Sequence, residues 1–205
     1  SVAGAISLGD GADNLIFNNG DFSGVTSFDG GAGTDSVTFR NATATVAGGD
    51  VVNMENVTVG SGGNISVSGA LDANVTVNSN GTFGGAPTIT GNVTVDAGGT
   101  LSPGNSPGLL SIVGNLDLGI TSNTLIEIGG LVAGTEYDQI DVADNPVSPG
   151  TIEGIATLAA GAIFDVNFFV PFNNTLGDVG LGDIFDILVA DSISADINSL
   201  TFDFF

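Results

Sequence analysis

Between Asn56 and Leu101 one phrase is written three times, NVTVGSGGNI, NVTVNSNGTF and NVTVDAGGTL, starting at Asn56, Asn74 and Asn92. The spacing is 18 residues both times, so Val57, Val75 and Val93 share one position and Val59, Val77 and Val95 another. Ile65, Phe83 and Leu101 share a third, and Leu71 and Ile89 keep the same spacing. A strict short period with alternating valine and threonine, and a glycine turn in every copy, is the mark of a repeat architecture with one coil per repeat. Successive strand side chains point to opposite faces, so Val57 and Val59 go inward and Thr58 outward. One coil cannot close a core, whereas stacked coils place valine over valine and pair each backbone edge with the next. The expected fold is therefore all-β, a right-handed parallel β-helix (β-solenoid) of about ten coils of 18–23 residues. The aligned asparagines are expected at a bend before each strand, their amides stacked and hydrogen-bonded along the axis.

Composition agrees with short strands and tight turns. The 205 residues include 33 glycines, and 42% are apolar without long helical runs of Ala, Glu, Lys and Leu. Charge is the most unusual property: 23 acidic residues face a single base, Arg40, for a net charge of −22. Such a chain repels a phosphate backbone and an anionic membrane surface, which argues against nucleic acid as a partner. No stretch approaches 18 consecutive apolar residues, so membrane insertion is not expected either. The start, SVAGAISLGDG, lacks the charged and apolar regions of a signal peptide and suits a mature secreted chain or a piece of a longer one.

Taken in order, residues 1–40 hold two glycine-aspartate turns, LGDGADNLIF and DGGAGTDSVTF, with Gly11 and Gly33, and Asp13 and Asp35, 22 apart. Gly30 to Val37 satisfies the calcium-binding nonapeptide pattern. Its glycines permit positive φ and its aspartate offers hard oxygen ligands, which makes Asp10, Asp13, Asp29 and Asp35 candidate calcium ligands. No cofactor is required. The separation of 22 is expected to stack the two turns on one corner. SPGNSPG, residues 102–108, reads as a loop without regular pairing, after which the repeat resumes at Asn115 with its register kept. The chain divides into a regular solenoid over 1–124 and a wider-coil continuation or C-terminal cap over 125–205. Phenylalanine gathers in the second part, and Phe202, Phe204 and Phe205 would leave an aromatic end that needs covering, which makes them candidate self-assembly residues.

Enzymatic roles have little material. Neither histidine nor cysteine is present, which removes Ser-His-Asp and Cys-His catalysis and the metal sites built from those residues. A carboxylate-dependent polysaccharide hydrolase needs only acids, and Asp138 with Asp141, helped by Tyr137, is the pair such a reading would use. The favoured expectation is that the chain is not an enzyme.

The run GGTLSPGNSPGLLSIVGNL, followed by EYDQIDV and GDIFDIL, resembles the β-helical passenger region of bacterial autotransporters and related large surface or extracellular-matrix proteins. GDGADNLIF and GGAGTDSVTF are similar to turns in the same proteins. The resemblance implies a right-handed parallel β-helix on a bacterial cell surface or outside the cell, with adhesive or scaffolding duty. The expected function is thus an extracellular structural or adhesive protein. Its partners would be itself, by end-to-end stacking into filaments, or a host or matrix surface. A calcium-responsive surface binding module and the hydrolase are the alternatives.

Overall fold

The computed structural model describes residues 4–104, 107–143, 154–168 and 182–204. Among these residues the protein is all-β, with two one-turn 3-10 segments at Gly48–Asp50 and Ile197–Ser199. The first strands are β1 (Gly4–Ser7), β2 (Asn14–Asp21), β3 (Val25–Asp29), β4 (Ser36–Ala47) and β5 (Val51–Val52). The repeats supply β6 (Asn56–Val59), β7 (Asn64–Leu71), β8 (Asn74–Val77), β9 (Thr82–Thr90), β10 (Val93–Val95) and β11 (Thr100–Pro103). Then come β12 (Leu109–Val113), β13 (Leu116–Leu118), β14 (Asn123–Ile128), β15 (Gln139–Ala143), β16 (Ile155–Leu158) and β17 (Ile163–Phe168). The last are β18 (Leu188–Ala190), β19 (Ser192–Ala195) and β20 (Thr201–Phe204).

Among the described residues every pair of strands is parallel, and the chain visits three ladders in turn. Ladder one joins β2, β4, β6, β8, β10, β13, β16 and β19. Ladder two takes the ends of β2 and β4, then β7, β9, β11, β14, β17 and β20. Ladder three joins the second halves of β7 and β9 to β12, β15 and β18. A separate three-stranded sheet, β1–β3–β5, precedes it.

The register is the one the repeat dictates. Val57 lies opposite Val75 and Val75 opposite Val93, while Ile65, Phe83 and Leu101 form a second column. All six are at most 4% exposed, because alternation turns them inward while Thr58, Thr76 and Thr94 stay half-buried outside. One turn recurs between ladders one and two, closed by i→i+3 bonds from Gly63 to Gly60, Gly81 to Asn78, Gly99 to Asp96, Ser122 to Gly119, Ala162 to Ala159 and Ser199 to Asp196. A constant corner keeps both ladders in register while longer insertions leave from elsewhere. Ladder-one partners are 18 residues apart at Asn74 and Asn92, 23 at Asn92 and Asn115, and 40 at Asn115 and Ile155, so the expected spacing of 18–23 residues holds only as far as Asn115, and among the described residues the ladder has eight strands where about ten coils are expected.

The SPGNSPG segment differs from expectation at its start. Ser102 and Pro103 belong to β11 and lie opposite Gly84 and Gly85. Pro103 is the last residue of its strand, where a missing N–H is tolerated.

Candidate functional site

The two glycine-aspartate turns do stack. Asp10 bridges Ala32, Gly11 N–H donates to the Ala32 carbonyl at 2.7 Å, and Ala32 N–H to that of Gly9 at 3.1 Å. The approach is so close that a Cβ on Gly31 would collide with the carbonyl oxygen of Gly9, and one on Gly33 with that of Gly11. These glycines are therefore required by backbone contact as well as by their φ of 95° and 153°.

The four aspartates of these turns have separate duties. Asp10 is exposed. Asp29 Oδ1 accepts from Gly31 N–H at 3.0 Å and Asn53 Nδ2 at 2.8 Å, which closes its own turn. Asp35 is completely buried; its Oδ1 accepts from Asp13 N–H at 2.7 Å, and its own N–H donates to Glu55 Oε2 at 2.6 Å. The second oxygens of Asp13 and Asp35 are buried without a hydrogen-bond partner. Among the described residues no three acidic side chains converge as ligands of one ion.

The same corner continues upward as a polar column. Asn92 N–H donates to Asn74 Oδ1 at 3.0 Å, Asn115 N–H to Asn92 Oδ1 at 2.9 Å, and Ile155 N–H to Asn115 Oδ1 at 3.1 Å. The ladder thus runs from amide oxygen to backbone N–H, where amide-to-amide stacking was expected. Corner N–H groups fall between strands and need an acceptor that the ladder does not supply. Glu55 belongs to this column, a role its place at the end of NME does not reveal.

Asp138 and Asp141 are not presented as a pair. Asp138 is 1% exposed, and its oxygens accept from Gly108 N–H at 2.7 Å and Glu127 N–H at 2.9 Å. It ties the end of the SPGNSPG segment to β14 and β15. Burial raises its pKa from 3.8 to about 6, against the lowering effect of the two backbone bonds. Asp141 is half-buried on the outward side of β15, and Tyr137 is buried with its ring edge-on to Phe185.

At the C-terminal edge the inward columns end in the open. Ladder one passes from Val37 through Val57, Val75, Val93, Leu116 and Ala156, all at most 4% exposed, to Ile193 at 50%. In ladder two, Phe164 at 2% is followed by Phe202 at 45%, and Val166 at 3% by Phe204 at 65%. Phe202 stacks on Phe164 and Phe204 on Phe168, with ring centroids 5.4 and 6.3 Å apart. Among the described residues β18, β19 and β20 each have a strand on one side only. An open hollow of about 580 Å³, solvent included, lies here among Leu158, Phe164, Phe185, Leu200 and Phe202. Phe205 lies outside the described residues. Ile193 was not singled out from the sequence; its place in the valine register marks it.

Among the described residues no helix is long and apolar enough to cross a membrane. Compared with known proteins, the chain matches no family model, no curated protein and no solved structure.

Proposed function

We propose that the chain is a right-handed parallel β-helix of eight coils that serves as an extracellular structural and adhesive element of a bacterial surface, and that copies join end to end through β18–β20. The observation that carries this reading is the set of buried columns ending in Ile193, Phe202 and Phe204 on strands with one partner each. A strand edge backed by apolar side chains is a template for further β-structure. The opposite end is different, with exposed Asn18, Asn19, Gly20 and Asp21 closing β2, so a contact between the ends is heterologous and generates open filaments. At the usual strand spacing of about 4.8 Å, eight coils form a rod on the order of 40 Å long. The repulsion of −22 charges per copy makes assembly depend on salt or divalent cations. The resemblance to autotransporter passenger regions supports the extracellular setting and a non-enzymatic role.

Negative-stain electron microscopy across sodium chloride concentrations, with and without calcium, tests the reading. Filaments are expected from the wild type at high salt and short rods from Phe202→Asp/Phe204→Asp. A wild type that stays monomeric under every condition overturns assembly.

A second reading, the calcium-responsive binding module, is favoured by the partnerless buried oxygens of Asp13 and Asp35. Calorimetric titration with calcium should then show binding that Asp35→Asn removes, and silence at millimolar calcium rejects it.

A further inference from the structure

Ladder three is interrupted where the chain changes sheets. β5 closes the separate three-stranded sheet and pairs with β3 alone. Across from it, Gly69–Leu71 of β7 pair only with β9, because β4 follows β7 no further than Ala47 opposite Ser68. The chain leaves the ladder at this point through the 3-10 turn at Gly48–Asp50. Two strand edges thus look onto an open cleft of about 870 Å³, solvent included, lined by Val51, Val52, Asn53, Glu55, Ala70 and Asp72. A second hollow of about 450 Å³ shares Glu55 and Asp72 with it.

We infer that this cleft receives an extended basic peptide segment of a partner protein, added as a strand between β5 and β7. Unpaired main-chain groups on both walls supply the recognition that strand addition uses, and the side chains of the walls supply selectivity. Val52, 40% exposed, and the exposed Ala70 suit small apolar side chains on the segment. The carboxylate of exposed Asp72 after β7, with that of Glu55 across the cleft after β5, suits lysine or arginine at the alternate positions. A second copy is a poor occupant, since it carries 23 acids and one base. The cleft lies away from β18–β20, so this inference stands apart from filament formation.

The test is fluorescence anisotropy with a labelled heptapeptide of alternating lysine and valine at low salt, using the full chain. Saturable binding is expected, with added amide-exchange protection over residues 48–55 and 68–73. Ala70→Trp, which fills the cleft from an exposed position, should abolish binding, and Asp72→Lys should weaken it about tenfold. A peptide of equal charge with methylated backbone nitrogens should fail to bind. Circular dichroism of both variants establishes that they fold. The proposal is overturned if the methylated peptide binds equally well, if Ala70→Trp leaves the affinity unchanged, or if nothing binds at millimolar peptide. Dimerisation of the peptide-free chain that Ala70→Trp abolishes would also overturn it, by assigning the cleft to a second copy.

Discussion

At the residue scale, two buried polar groups set the terms. Thr124 lies in the inward column between Leu101 and Phe164, fully buried, with its hydroxyl unpaired. An unsatisfied buried hydroxyl is costly, and valine has the same shape, so Thr124→Val should stabilise the protein by about 1–2 kcal/mol in urea unfolding. An unchanged or lower midpoint would show that the hydroxyl has a partner in solution. Asp138 acts through its proton. Because its folded pKa of about 6 exceeds 3.8, the native state holds a proton that the unfolded chain has released over that interval. Stability contributed by this group is therefore present below pH 3.8 and lost as the pH rises through about 6. A shift of this size corresponds to about 3 kcal/mol. Asp138→Asn has no such proton, so its unfolding free energy should fall less than the wild type's between pH 4.5 and 6.5. Equal slopes would place the ionisation elsewhere. Residue by residue, the sequence marks Asp138 only as an acid in an acidic chain; its burial follows from the insertion that folds over it.

At the element scale, the stacked glycine turns are the test case. Gly33 combines a φ of 153° with contact against the Gly11 carbonyl, so Gly33→Ala has to move backbone in both glycine-aspartate turns. A loss of about 2–3 kcal/mol is expected in chemical unfolding. Gly49→Ala, with open space at its Cβ, serves as the control and should be within about 0.5 kcal/mol of wild type. Similar losses in both would mean that general turn propensity, not interlocking, decides the effect. The repeated phrase made β6 to β11 legible, since inward residues, turn glycines and period all agree there. It did not reveal that β5 turns away from β7, because VV after GGD reads like any other short strand. The direction of β5 is set by its pairing with Phe28 and Asp29.

At the scale of the whole molecule, charge opposes compaction. With 23 acids and one base, raising sodium chloride from 10 to 500 mM shortens the screening length from about 30 Å to several ångströms. The thermal midpoint should rise by a few degrees, and a salt-independent midpoint would mean that the carboxylates are already neutralised by bound cations. The same long-range term governs association, so stability and assembly should respond to salt together.

Sequence by itself determined the parallel stacking, since an 18-residue period with strand alternation has its lowest energy when each copy lies over the last. It also determined that the two glycine-aspartate turns meet, because their separation matches one passage through the ladders. Only the tertiary structure decided which aspartate is buried, how the asparagine column bonds and where ladder three opens. Those outcomes depend on groups brought together from strands distant in the chain, and the identity of a side chain carries no record of the neighbours that remove its water.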